Sequence, residues 1–120
     1  MSELPYRRLL AWQRAHALAH EVLDLAESEP FARRPWFRDQ VARAALSVSA
    51  NIAEGSGRHS RREFASHVAI ARGSLFELDS ALLLARERGW LEHERGRELQ
   101  SAIQELSAIL SGLGQSLRDS

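Results

Sequence analysis

A seam of apolar residues runs through the centre of the sequence at alternating spacings of four and three. Its members are Phe64, Val68, Ala71, Leu75, Leu78, Leu82 and Ala85. Such an alternation keeps one face of an α-helix apolar and conflicts with the two-residue period of a strand. Ser60 and Glu63 have the spacing of a capping box, in which each side chain bonds a free backbone N–H group of the other residue. The sequence therefore predicts a long helix over residues 60–88.

Three further segments have the spacing of amphipathic helices. They cover residues 8–28, 38–54 and 94–117, with the following apolar stripes: Leu10, Ala17, Leu18, Val22, Leu25 and Ala26; Val41, Ala45, Val48 and Ile52; Leu99, Ile103, Leu106, Leu110, Leu113 and Leu117. Gly55 and Gly57 follow the second stripe, where glycine commonly ends a helix. Four such helices with short connections predict a single all-α domain over residues 1–120, folded as an antiparallel up-down-up-down four-helix bundle.

The composition excludes several classes of protein. The chain has no cysteine, which excludes disulfides, thiolate metal sites and thiol catalysis and is typical of the reducing cytoplasm. The beginning of the sequence has no signal-peptide pattern, and no window has the roughly 18 apolar residues of a membrane span. We therefore expect a cytoplasmic protein with no membrane partner.

Positive charge is concentrated in one part of a chain whose formal net charge is zero. Residues 31–72 hold eight arginines but only three acidic residues. The zero total argues against a protein whose whole surface coats nucleic acid, because such proteins are strongly basic. A nucleic-acid contact would have to be local.

The densest basic cluster surrounds the predicted beginning of the third helix. It consists of Arg58, His59, Arg61 and Arg62. A helix N-terminus favours anions through its free N–H groups and its dipole. We interpret the cluster as a candidate site for the phosphates of RNA, and a solvated turn is the alternative. The cluster contains no aromatic residue, so base stacking is not expected.

Polar residues and glycines interrupt the helical pattern where the second and third helices would face each other. They are Asn51, Glu54, Arg72, Gly73, Ser74 and Glu77. An ion pair between Glu54 and Arg72 is feasible across antiparallel helices, and a mid-helix glycine would suit their close approach. Partly buried ion pairs more often fix helix register than catalyse. We predict a structural clasp between helices rather than an active site.

The sequence contains no convincing metal or catalytic pattern. His16 and His20 lie one helical turn apart and could share a metal ion, but a third ligand is needed. The Glu-x-x-His pairs of di-iron bundles do not occur. No nucleophile, base and orienting group are suitably spaced either. We therefore expect no cofactor, no bound metal and no enzymatic activity.

Extra apolar residues lie beside the main stripes. Ile70, Phe76, Leu83 and Leu84 are off the seam of the third helix, and Leu9 and Leu23 flank the stripe of the first. A second apolar stripe on a helix indicates a further interface, since a single bundle buries one stripe per helix. We expect homo-oligomerisation, and a broad core-facing stripe is the alternative.

The sequence resembles the four-helix-bundle protein family encoded in intervening sequences of bacterial 23S ribosomal RNA genes. The matching residues include Leu10-Ala11-Trp12-Gln13, Arg43-Ala44-Ala45-Leu46-Ser47, Asn51-Ile52-Ala53-Glu54-Gly55, Arg58, Ile70-Ala71-Arg72-Gly73-Ser74 and Glu77-Leu78. The resemblance spans nearly the whole chain and implies an antiparallel bundle that assembles into a ring, commonly a homopentamer. It also implies a fold similar to that of the accessory protein of diversity-generating retroelements, which partners a reverse transcriptase and nucleic acid.

We therefore expect a non-enzymatic oligomeric bundle that contacts RNA or a nucleoprotein through its local basic face. A protein–protein scaffold or adaptor with no nucleic-acid role is the alternative hypothesis. The resemblance carries no catalytic residues over to this chain.

Overall fold

The computed structural model describes residues 3–119, and these residues form helices without strands. A short 3-10 helix, Pro5–Arg8, precedes helices α1 (Leu10–Ala26), α2 (Pro35–Ser56), α3 (Arg61–Glu87) and α4 (His93–Arg118). The predicted all-α class and the four helices are confirmed. Within the described residues, no helix combines the length and the hydropathy that crossing a membrane requires.

The helix boundaries follow local chemistry. Helix α2 begins three residues earlier than predicted, at Pro35. Proline is favourable at the first position of a helix, because its missing N–H group would have no partner there and its φ angle already suits the helix. Helix α3 begins directly after Ser60, whose side-chain oxygen accepts a hydrogen bond from the Glu63 backbone N–H at 3.1 Å.

Contacts between helices establish the antiparallel arrangement, because residue numbers rise along one helix as they fall along its neighbour. The pairs are Ser47–Ser74 and Asn51–His67 between α2 and α3, Arg61–Ser116 and Arg86–Gln100 between α3 and α4, and Arg14–Glu105 and Glu21–Arg95 between α1 and α4. Each helix packs against its neighbours in the chain, and α1 closes the bundle against α4. The result is an up-down-up-down bundle.

The core consists of one stripe from each helix, and the stripe of α1 differs from the predicted one. Leu10 is 51% exposed, and Ala17 is also exposed. Ala11 and Ala15 are buried instead, together with Leu18, Val22 and Ala26. The sequence interpretation included Leu10 because of its large apolar side chain, whereas the small side chains of Ala11 and Ala15 face the core at the beginning of α1.

An aromatic cluster closes the core at the end where α2 begins. The ring centroids of Phe31 and Phe37 are 5.7 Å apart, and those of Phe37 and Trp90 are 5.2 Å apart. The Arg34 guanidinium carbon lies 4.3 Å from the centroid of the Trp90 ring, a cation–π distance. Packing of these rings joins the connection between α1 and α2 to the connection between α3 and α4.

Gly55 lies at a close approach of α2 and α3, which differs from its predicted role as a helix stop. Helix α2 continues through Gly55 to Ser56. A Cβ atom at position 55 would lie 2.6 Å from the His67 Cβ and 2.9 Å from the Phe64 Cδ1. A glycine is therefore required here by the neighbouring helix and not by the backbone conformation.

Replacement of Gly55 with alanine should destabilise the bundle. Alanine normally gains about 1 kcal/mol over glycine in a helix, but here the clash with the His67 Cβ reverses the sign. We expect a net loss of about 1–3 kcal/mol, typical of overpacking, in urea unfolding followed by circular dichroism. Gly112→Ala is the matched control, because a Cβ atom there meets nothing within 4 Å. Equal stability of the two variants would contradict the close-approach assignment.

Candidate functional site

A chain of polar contacts joins α2 to α3. The hydroxyl groups of Ser47 and Ser74 are 2.8 Å apart. The Asn51 amide nitrogen donates to the Ser47 carbonyl oxygen at 2.9 Å and lies 3.2 Å from the Ser47 hydroxyl. The Asn51 Oδ1 lies 3.1 Å from the His67 Nδ1. Because the amide nitrogen of Asn51 already donates, its oxygen must accept, so the Nδ1 of His67 carries the proton.

The polar contacts continue from His67 to the end of α2. The His67 Nε2 lies 3.8 Å from the Glu54 Oε2, and the same carboxylate oxygen accepts from Arg58 at 2.5 Å. The structure therefore brings Asn51, Glu54 and Ser74 into one network, as the predicted clasp requires. Ser47 and His67 belong to it as well. The sequence interpretation missed them, although Ser47 lies one helical turn before Asn51 and could have been recognised by that spacing.

The other three predicted clasp residues lie outside this network. Arg72 does not contact Glu54, because the register sets Asn51 opposite His67 and so places Glu54 beyond the reach of Arg72. The Arg72 guanidinium carbon lies instead 4.8 Å from the ring centroid of Phe76. The ion pair between Glu54 and Arg72 that the sequence made feasible does not form.

Gly73 does not serve close approach within the chain, since a Cβ atom there would meet nothing within 4 Å. This part of the predicted clasp is also wrong. Glu77 makes one weak contact with α2, in which Gln40 Nε2 donates to the Glu77 Oε2 at 3.5 Å. At that length the interaction adds little to the contact between the two helices.

The predicted basic cluster lies at the end of the bundle where α2 ends and α3 begins. Arg58, His59, Arg61 and Arg62 are all exposed. The Arg61 guanidinium reaches across to α4 and donates to the Ser116 carbonyl oxygen at 3.0 Å. We call this part of the surface the basic end.

The basic end includes one arginine that the sequence interpretation missed. Arg61, Arg62 and Arg118 line an open groove of about 540 Å³ between the beginning of α3 and the end of α4, together with Ala65, Ser66, Ala69 and Leu117. None of the lining residues within 3–119 is acidic. Arg118 is 56 positions from Arg62 in sequence, so only the antiparallel arrangement of α3 and α4 brings them together.

The beginning of α3 is already capped by its own side chains. The Ser60 hydroxyl donates to the Glu63 carboxylate at 3.3 Å, while its oxygen accepts from the Glu63 backbone N–H. The predicted bond from the Glu63 backbone N–H to the Ser60 side chain is confirmed. The Glu63 carboxylate, however, accepts from the Ser60 hydroxyl and not from the Ser60 backbone N–H. The Glu63 carboxylate thus supplies negative charge to the helix N-terminus. An external anion would therefore bind mainly to the arginine side chains and less to the backbone N–H groups of the helix N-terminus.

The two histidines of α1 form part of an aromatic ladder. The ring of His16 stacks on Trp12 with centroids 4.5 Å apart, and the His20 ring lies 4.8 Å further on, at 87° to that of His16. No group of three His, Cys, Asp or Glu residues that could hold a metal ion occurs among residues 3–119.

Removal of the Asn51 side chain should weaken the contact between α2 and α3. Asn51→Ala leaves the half-buried His67 Nδ1–H without its partner and removes the side-chain bond to the Ser47 carbonyl oxygen, which keeps its helical bond, and leaving a buried donor unpaired typically costs about 1–3 kcal/mol. Urea unfolding should show this loss, whereas Gln40→Ala, which removes only the 3.5 Å contact with Glu77, should change stability by less than about 0.5 kcal/mol. A neutral Asn51→Ala variant would argue against a stabilising clasp.

Comparisons with known proteins agree with this architecture. A solved structure from Bacteroides thetaiotaomicron, described as a protein with unknown function from the S23 ribosomal protein family, superposes with a TM-score of 0.82. The similarity covers 88% of this chain and 96% of that chain at 18% sequence identity, which shows a shared fold. No protein of curated function matches the sequence. The family model for the 23S rRNA-intervening sequence protein matches residues 7–112. The chain therefore belongs to the 23S rRNA-intervening sequence protein family.

Proposed function

We propose that the protein is a non-enzymatic subunit of a homo-oligomeric ring that contacts RNA, alone or within a nucleoprotein, through its basic end. The observation that carries the proposal is the convergence of Arg58, Arg61, Arg62 and Arg118 from three helix ends on one exposed surface. The homopentameric form is what the family resemblance implies. The cytoplasm is the proposed compartment, because a chain without cysteine suits a reducing environment.

The chemistry of the basic end suits phosphate groups. An arginine guanidinium presents a planar fork of donors that matches two phosphate oxygens. Among residues 3–119, no carboxylate lines the groove of Arg61, Arg62 and Arg118 and competes for these donors. Arg58 is paired with Glu54 at 2.5 Å, so it would contribute to binding only by exchanging this partner for a phosphate. The site is suited to the RNA backbone and not to base reading, since no aromatic ring lines the groove.

The outer surface of α2 and α3 supports assembly. Ile70, Phe76, Leu83 and Leu84 lie outside the core and are between 46% and 53% exposed. Trp36 is 67% exposed on the neighbouring part of α2. Large apolar side chains concentrated on one side of a small bundle are typical of a protein–protein interface.

A protein–protein scaffold or adaptor without a nucleic-acid role is the second candidate. The same apolar surface favours it, because a different protein could cover the exposed side chains of α2 and α3. The zero net charge favours it too, since RNA-binding domains are commonly basic. A partner that stays bound in pull-downs after nuclease treatment and at high salt would support this candidate over RNA binding.

The RNA proposal predicts that the protein binds RNA with an affinity that falls as salt rises, and that the arginines of the basic end are responsible for this binding. A single-stranded RNA oligonucleotide should bind the wild-type protein more weakly as salt rises, as fluorescence anisotropy can measure. The triple variant Arg58→Ala, Arg61→Ala and Arg62→Ala should lose at least about tenfold in affinity, and its logarithmic salt slope should fall by about two. The control variant Arg33→Ala, Arg43→Ala and Arg97→Ala removes the same charge elsewhere. Unchanged binding in the first variant, or an equal loss in both, would refute the site.

The assembly proposal predicts a solution mass several times the 13.5 kDa of the chain. Light scattering after size-exclusion chromatography at micromolar concentration measures it directly. Nuclease-treated protein should give the same mass, because the apolar surface and not bound RNA holds the copies together. A monomer under these conditions would refute the ring.

A further inference from the structure

Among residues 3–119, the exposed large apolar side chains fall into two separate sets. Leu4 is 62% exposed and Leu10 is 51% exposed, and both lie at the beginning of the chain. The remaining ones all lie on α2 or α3: Trp36, Leu46, Ile70, Phe76, Leu83 and Leu84. Two different apolar surfaces on one chain suit a contact in which one surface of a copy meets the other surface of the next copy.

The set on α2 and α3 includes a groove with acidic edges. The groove has a volume of about 530 Å³ and lies between the beginning of α2 and the end of α3. Trp36, Leu83 and Leu84 supply apolar walls, and Glu77 and Glu87 supply carboxylates. No lining residue is basic, and neither glutamate forms an ion pair within the described residues. The groove therefore suits an occupant that combines apolar and basic side chains.

The beginning of the chain has this combination. Arg7 and Arg8 lie between Leu4 and Leu10, are exposed, and form no ion pair with residues 3–119. We call residues 4–10 the N-terminal segment. It contains the 3-10 helix Pro5–Arg8 and is held in place, because Gln13 Nε2 donates to the Arg7 carbonyl oxygen at 2.8 Å. A segment that is ordered before binding loses less conformational entropy on docking than a flexible one.

The N-terminal segment cannot reach the groove of its own chain. The segment contacts α2 and precedes α1, and the antiparallel arrangement sets the beginning of α1 beside the end of α2. The groove lies beside the beginning of α2. Helix α2 has 22 residues and is about 33 Å long, and most of its length separates the two surfaces. Any contact between them must join two molecules.

We infer that the N-terminal segment of one copy docks into the acidic groove between α2 and α3 of the next copy. Leu4 and Leu10 contact the apolar walls, and the guanidinium groups of Arg7 and Arg8 face Glu77 and Glu87. The two surfaces differ, so the contact is head-to-tail and can repeat until a ring closes. The inference rests on the proposed homo-oligomer and specifies how its copies meet.

Charge exchange across the proposed contact tests it. In the full-length chain, the pair Glu77→Arg with Glu87→Arg, and separately the pair Arg7→Glu with Arg8→Glu, should each place like charges opposite each other. Each should raise the dissociation constant of the assembly at least about tenfold, as measured by sedimentation velocity, because like charges at an interface are strongly unfavourable. The four substitutions in one chain restore opposite charges and should restore the assembly. The control pair Asp24→Arg with Glu27→Arg changes the net charge as much as the glutamate pair does, but at the end of α1, and should leave the assembly intact.

The helices of these variants should be retained, since all the substituted side chains are exposed, and circular dichroism verifies this. Leu83→Ser with Leu84→Ser is a second route to the same loss of assembly, by removing the apolar walls. A wild-type monomer would overturn both the ring and this contact. A wild-type oligomer that neither charge pair weakens would overturn the contact alone. If each double variant weakens the assembly but the chain with all four substitutions does not recover it, then these charges do not face each other. That result would overturn the proposed contact.

Discussion

The close approach of α2 and α3 is the constraint on which the rest of the structure depends. It is possible because Gly55 has no side chain where the Cβ of His67 lies. The approach fixes the register of the two helices, and the register in turn sets Asn51 opposite His67 and Ser47 opposite Ser74. Hydrogen bonds in a half-buried setting contribute modestly to stability, but leaving their donors unpaired is expensive. A shift of one helical turn would break the whole chain of contacts, so the polar network selects a single alignment.

This register also links the interior of the bundle to the surface proposed to bind RNA. Glu54 is the shared point, since its carboxylate lies within 2.5 Å of Arg58 and 3.8 Å of the His67 Nε2. Arg58 is therefore held by an exposed ion pair, which is weak enough in water for a phosphate to replace the carboxylate. Arg61 is held differently, by a carbonyl oxygen at the end of α4. The two arginines thus have defined starting positions, although both remain open to solvent.

The sequence predicted the helices well because each has a strong apolar period, and it predicted their contacts less well because contacts depend on register. The seam of α3 was fully recognisable from its heptads. In α1 the interpretation included Leu10 and Ala17 in the core stripe, and both are exposed. A contact between Arg72 and Glu54 was considered feasible because α2 and α3 are adjacent and antiparallel. Adjacency alone does not determine which turns of the two helices lie opposite each other. Arg118 was not recognised as part of the basic end because Arg61 and Arg62 are distant from it in sequence. Only the folded arrangement of α3 and α4 brings the three residues together.

Two helical glycines have no structural role within the residues that the structure describes. Gly73 in α3 and Gly112 in α4 are each surrounded by open space, and glycine costs about 1 kcal/mol relative to alanine in a helix. Nothing in the part of the chain that the structure describes requires a glycine at either position. Gly73 lies three residues from both Ile70 and Phe76, so it shares a helix face with two half-exposed apolar side chains. Two bulky side chains with a gap between them form a surface into which a neighbouring side chain can insert. Gly73 lies on the side of the bundle that the proposed assembly would cover, and a neighbouring side chain inserted there would offset its cost.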